Sequence, residues 1–313
     1  MKTLNKILAI VIIMLAISSI QAISQNIVTR QSGINASFYT TVDDAIAAAA
    51  NGDYIYIPGG VWAISNVIHV GVNIVGVGYN PDSSSATTTT RITSNGWNGI
   101  IRISSGCDNG SFTGVQFLHT VAFGGDESNG SVVINNYSFS RCRFSGGNSN
   151  WCDNNAGLIM GWCGNGQSTN LFLSENVFDN YVNGEGISGV TATKNVFSYN
   201  VNGFNASSFN NNLFIAAGQW KCNYINNSFF NNNIVIDNNG NPNFVNSNCY
   251  GNVLNNNMYN EPNTQGPYSN TEIHGLFSAT PIFVNFTTYS FDVAADYHLA
   301  AGCFGKCHDH FLI

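Results

Sequence analysis

Glu175-Asn176-Val177-Phe178, Lys194-Asn195-Val196-Phe197, Asn211-Asn212-Leu213-Phe214 and Asn226-Asn227-Ser228-Phe229 are four versions of one short phrase. Each sets an asparagine two residues before a phenylalanine, and the phrase returns every 15–19 residues, a spacing that marks a repeat architecture. Asparagine tolerates the left-handed backbone that a sharp corner needs. The phenylalanine just beyond it fills an interior. A corner and an inward aromatic, recurring once per coil of chain, predict a β-solenoid.

Working outward, the chain begins with a segment that stands apart from the repeat. Lys2 and Lys6 form a basic start, Ile7 to Ile17 is an apolar run, and Ser18-Ser19-Ile20-Gln21-Ala22 gives a small-residue exit. This predicts a secretory signal peptide over 1–22, cleaved after Ala22. No later run approaches the length of a membrane-spanning helix, so the expectation is an exported, extracellular chain without a membrane span. The rest divides into one solenoid domain over 23–302, whose cap and first coil occupy 38–78, and a divergent tail over 303–313.

Composition narrows the partners. Only 9% of the residues are charged and the net charge is −7, which disfavours nucleic acid and anionic membrane. Asparagine makes up roughly one residue in six, far above ordinary usage, so amides do the solvating that charges do elsewhere. An extracellular glycan is the partner that suits such a surface, and a monomer is expected. Eight cysteines in an exported chain permit disulfides. Cys152 with Cys163, and Cys222 with Cys249, are the pairs spaced to meet, and burial as small apolar side chains is the competing reading.

The first coil carries its own signals. Thr41 is placed to cap a helix with Asp43 and Asp44 in its first turn. Ile46 and Ala47–Ala50 follow, and Asn51-Gly52 supplies a left-handed stop. Asp53 to Pro58 alternates like a strand, Gly59-Gly60 turns into Val61-Trp62, and Val67–Val70 and Val72–Gly78 read as two more strands. An open solenoid end exposes core and unpaired backbone, and a short alanine-rich helix is suited to cover it.

These residues resemble a known family. Thr41-Val42-Asp43-Asp44-Ala45-Ile46, then Gly52-Asp53-x-Ile55-x-Ile57-Pro58-x-Gly60-x-Trp62, then Ile74-Val75-Gly76-Val77-Gly78 are similar to the opening of pectate-lyase-like right-handed parallel β-helix proteins. Asp296-Tyr297-His298-Leu299 resembles the closing motif of secreted bacterial members. The resemblance spans 38–302 and implies a right-handed parallel β-helix with an N-terminal capping helix. It does not single out an activity, because the family holds lyases, hydrolases, adhesins and proteins of unknown role.

In such a rod equivalent residues stack, so chemistry is read as columns. Asn176, Asn195, Asn212 and Asn227, with Asn252 as a looser member, are expected as an amide column spent on itself and on corner backbone. One position earlier, Arg141, Glu175 and Lys194 fall in register as plus, minus, plus. They are the candidate catalytic residues, a base and an acid beside a polysaccharide groove, with an exposed ionic ladder as the bland alternative. Trp151 and Trp162, in a Gly- and Asn-rich excursion over 145–168, are the candidate sugar-stacking residues.

Asp126-Glu127, after Gly124-Gly125, is the candidate metal site, suited to calcium, with a solvated acidic turn as its alternative. No resident cofactor is expected. The catalytic phrases the resemblance implies are missing: there is no Arg-x-Pro-x-x-Arg, no Asn-Thr-Asp and no Gly-His-Gly. The reading is therefore a secreted β-helix protein that binds an extracellular polysaccharide without cleaving it. A polysaccharide lyase or glycoside hydrolase is the first alternative, and a structural or adhesive surface protein the second.

Overall fold

A computed structural model describes residues 27–79, 88–96, 99–124, 132–147, 156–161, 168–216, 221–237, 244–259, 270–273, 275, 283–285 and 296–299. The chain winds as a right-handed parallel β-helix, the hand that parallel crossovers take. Three sheets run along it. Sheet A has twelve strands, sheet B nine and sheet C six. Each coil passes from A through a tight corner to B, then to C, and returns to A one rung on.

The core forms because each short strand alternates. Along sheet A, Ile55, Ile74, Phe112, Phe139, Leu173, Ala192, Phe209, Phe230 and Leu254 occupy the same inward position in register. Along sheet B, Phe117, Phe144, Phe178, Phe197 and Phe214 stack with ring centroids 4.7–5.0 Å apart. Phe178, Phe197 and Phe214 are buried, as the repeat predicts.

The corner between A and B is built differently from the expectation in one respect. The left-handed residue is the one before the inward position: Arg141 before Cys142, and Glu175, Lys194, Asn211, Asn232 and Asn256 each before an asparagine, have φ between 51° and 59°. The asparagine that follows turns inward and joins a ladder of Asn176, Asn195, Asn212, Asn233 and Asn257, each at most 1% exposed. Asn176 Oδ1 accepts the Cys142 N–H at 2.9 Å, and from Asn195 on each Oδ1 accepts from the backbone N–H and the Nδ2 of the asparagine one rung before (for Asn195, from Asn176 at 2.9 and 3.0 Å). Each Nδ2 also donates to a strand carbonyl, as Asn195 does to Leu173 at 2.9 Å.

Asn227 and Asn252 do not belong to this ladder. Asn227 is an exposed left-handed residue at the other corner, between C and A. Phe229 accordingly faces outward and is 53% exposed. Asn252 sits at that same corner, where Val190, Ser207, Ser228 and Asn252 each donate their N–H to the next side chain along, ending at Asn270. The true continuation after Asn212 lies 21 residues on, at Asn233.

The N-terminal end is closed by two devices. Helix α1, Val42–Ala47, is capped by Thr41, whose hydroxyl accepts from Asp44 N–H, and it buries Val42, Ala45 and Ile46. Its Asp43 carboxylate accepts the N–H groups of Ser65 and Asn66, tying the lid to the first coil. The second device is absent from the sequence reading. Strands β1, Val28–Ser32, and β2, Asn35–Tyr39, form an antiparallel hairpin, and β1 pairs with the first parallel rung, Tyr54–Tyr56. Val67–Val70, expected as a strand, contributes a single bridge from Ile68 to Ile103. Near the end, Phe283–Asn285 pairs antiparallel with Asp296–Leu299, the closing motif. The leader over 1–22 and the tail over 303–313 lie outside the described residues, as do Cys152 and Cys163.

Cys107, Cys142, Cys222 and Cys249 are buried free thiols. Cys249 Sγ faces the Cys222 carbonyl at 3.6 Å rather than its sulfur, so this spaced pair is apolar filling.

Candidate saccharide-binding groove

The longest strand of sheet C, Tyr181–Ser188, is also the least regular. Asn183 pairs with Asn202, but Ile187 pairs with Phe204, so Gly184-Glu185-Gly186 bulge outward against the single residue Gly203. The glycines make this close approach feasible. A Cβ at Gly184 would run into the Phe204 ring, and one at Gly203 would lie 2.6 Å from Glu185 Cα. Asn183 Oδ1 accepts the Glu185 N–H at 2.9 Å and holds the bulge in place. Bulges re-aim side chains and recur beside functional sites.

Beside this bulge lies a groove of about 350 Å³, lined by Tyr181, Asn183, Glu185, Asn202, Asn205, Tyr224 and Asn226 with three other residues of the same coils. Asn183, Asn202 and Asn223 are in register on consecutive rungs of sheet C. The side-chain oxygens of Asn200, Asn202 and Asn223 are buried and accept no hydrogen bond. An orphaned buried acceptor costs about 1–3 kcal/mol; of the three, Asn202 lines the groove, with Asn223 on the next rung and Asn200 two residues before Asn202. The inner ladder is the contrast, because there the same amides are fully satisfied.

The sequence candidates fall elsewhere or beyond view. Arg141, Glu175 and Lys194 do occupy consecutive rungs, but at the A/B corner and not in the groove. Among the described residues no ion pair within 4.0 Å joins them, so the expected ladder of contacting charges does not form. Trp151, Trp162, Asp126 and Glu127 lie outside the described residues. Among the described residues no three His, Cys, Asp or Glu side chains converge as a metal site, and no helix is long and apolar enough to cross a membrane.

Among the described residues the ion pairs are Arg30 Nε to Asp53 Oδ2 and Arg143 Nε to Asp179 Oδ2, both at 2.7 Å, the second with both side chains largely buried. Burial raises the Asp179 carboxyl above its usual range despite Arg143, which acts in the opposite direction. Sequence reading missed this pair and the groove alike. The signal for the groove was the Gly-x-Gly at 184–186 within an apolar-polar alternation, which reads as a bulge.

No protein-family model matches this sequence, and no curated protein matches it. Among solved structures it is similar to ORF18 of Geobacillus virus E2, with a TM-score of 0.45 and 15% identity over 80% of this chain and 60% of that one. It is also similar to tailspike protein 3 of bacteriophage CBA120, with a TM-score of 0.23 and 15% identity over 76% of this chain and 56% of that one. The chain spans less than two thirds of the length of either.

Proposed function

We propose that this chain is an exported protein of the pectate-lyase-like β-helix class that holds an uncharged extracellular polysaccharide in the sheet C groove without cleaving it. The observation that carries this reading is a groove lined by Asn183, Asn202, Asn205 and Asn226 beside Tyr181 and Tyr224, in which the Asn202 oxygen has no hydrogen-bond partner. Amides donate and accept as sugar hydroxyls do, and a tyrosine ring offers an apolar plane with a polar tip. Binding without cleavage is supported by the lining, in which Glu185 is the one carboxylate, whereas acid–base glycoside hydrolysis uses two.

The test is retention of the purified protein on a panel of immobilised uncharged and acidic glycans, beside an assay for unsaturated product with and without calcium. Retention on an uncharged glycan, reduced about tenfold by Tyr224→Ala with Asn202→Ala, is the expected result. Calcium-stimulated product would overturn it in favour of a lyase. Failure to bind any glycan would overturn it in favour of an adhesive or structural role.

A further inference from the structure

The outward face of sheet A is used by neither the groove nor the ladder. Register sets its side chains in two columns, Tyr54 to Thr271 and Tyr56 to Ile273, along the parallel rungs. No Asp, Glu, Lys or Arg occupies either column. Small hydroxyls dominate the middle, where Ser138, Ser140, Ser174, Thr191 and Thr193 are all partly exposed.

Three aromatic rings interrupt the first column. Tyr54, Phe172 and Phe229 are 45%, 44% and 53% exposed. At about 4.8 Å per rung they stand roughly 19 and 14 Å apart along the axis. Phe172 has Ser138 and Thr191 as its cross-strand neighbours, so it gains no apolar pairing from the sheet. Strand propensity alone does not require phenylalanine there, because the same position is Ser or Thr on the adjoining rungs. An apolar ring framed by hydroxyls matches a pyranose, whose flat C–H face stacks on the ring while its rim of hydroxyls meets Ser, Thr and Asn. An extended β-linked chain advances by close to one rung per sugar, so it can lie along this column. Within the two columns a carboxylate would lose water without an ion-pair partner, since Arg141 and Lys194 stand beyond the second column at the A/B corner, so the columns favour an uncharged chain over a uronate.

We infer that the outer face of sheet A is a second binding surface, taking an extended uncharged polysaccharide along the helix axis with Phe172 and Phe229 as stacking rings. It shares with the groove reading the class of partner but none of the residues.

The experiment measures retention on insoluble uncharged glycans (cellulose, chitin and an insoluble β-1,3-glucan) and on pectate. Three forms are compared: the full-length mature protein, Phe172→Ser with Phe229→Ser, and Tyr224→Ala with Asn202→Ala. Loss of two stacking rings is expected to weaken retention on an uncharged glycan by about tenfold or more. The groove variant should lose less on the insoluble surface, and Phe172→Tyr with Phe229→Tyr should retain it. Circular dichroism and urea midpoints establish that the serine variant is folded, and if it is not, the tyrosine pair beside single Phe172→Ser and Phe229→Ser substitutions carries the test.

Unchanged retention in the folded serine variants would overturn the inference, as would stronger retention on pectate than on uncharged glycans. So would a face that instead arrests ice growth or mediates self-association, read by thermal hysteresis and by sedimentation. Loss of binding in the groove variant alone would sink this surface and leave the groove reading standing, and the reverse pattern would do the opposite.

Discussion

Replacing Asn195 by Ala tests whether the inner ladder holds the rod together. Its side chain accepts two hydrogen bonds, from Asn176 N–H and Nδ2, and donates two, to Leu173 O and Asn212 Oδ1. All lie in a corner where Asn176, Asn195 and Asn212 are 0% exposed. Asn212 Oδ1 keeps the Asn195 N–H, so the main orphans are the two Asn176 donors and the loss at the Leu173 carbonyl. At about 1–3 kcal/mol each, with partial relaxation, the expected cost is about 3–6 kcal/mol. That is a large share of the roughly 5–15 kcal/mol that stabilises a domain. Urea unfolding followed by far-ultraviolet circular dichroism measures it. Asn195→Asp sharpens the test: its carboxylate still accepts from Asn176 but faces Leu173 O and Asn212 Oδ1 with no donor. It should therefore be least stable at neutral pH and recover as acid protonates it, opposite to an exposed aspartate. A loss below about 1 kcal/mol for Asn195→Ala, or no recovery of Asn195→Asp in acid, would refute the ladder as a stabilising device.

The remaining predictions concern charges, corners and thiols. Glu175→Gln should change stability by less than about 1 kcal/mol, as a partly exposed charge outside any ion pair among the described residues does, and Lys194→Gly should be neutral or raise the urea midpoint, because glycine relieves the left-handed corner. At pH 7 Asp179→Asn should be neutral or stabilising. A carboxyl held above its ordinary pKa contributes stability below the ordinary carboxylate range that is lost as pH rises through the folded value, whereas Arg143→Met strands a buried anion and should cost about 3 kcal/mol or more. Cys107 and Cys142 are pushed up to about 12 by burial. They should resist iodoacetamide until the chain unfolds, and stability should fall as pH climbs from the ordinary thiol range toward 12.

The fold was legible because a solenoid repeats its reasons. Phe178, Phe197 and Phe214 each follow a corner asparagine at one spacing, and any stretch of two coils exposes the pattern. Thr41 with Asp43 and Asp44 announced the lid helix by local capping chemistry alone. Where reading failed, coil length was the cause. Successive ladder asparagines lie 19, 17, 21 and 24 residues apart. Asn227, only 15 residues after Asn212, has not completed a coil and has reached the other corner. The hairpin of β1 and β2 escaped because its strands carry no apolar alternation, and the residues of β2 are largely exposed.

Variable coil length also explains why candidate sites are harder to read than the core. Inward residues announce themselves by being apolar, but outward columns acquire meaning only once register is fixed. The Gly184–Gly186 bulge adds residues to one coil without disturbing the ladder, so it shifts sheet C relative to any alignment made on the Asn-x-Phe phrase. The same amide then does opposite work in two places. At the A/B corner, Asn195 bonds to its neighbours above and below and has nothing left for a ligand. On sheet C, Asn202 and Asn223 are in register on neighbouring rungs, and their oxygens have no hydrogen-bond partner. An asparagine-rich rod therefore stiffens itself and keeps hydrogen-bonding capacity in reserve from one residue type. Asn202 carries that reserve to the groove beside the bulge, Tyr181 and Tyr224.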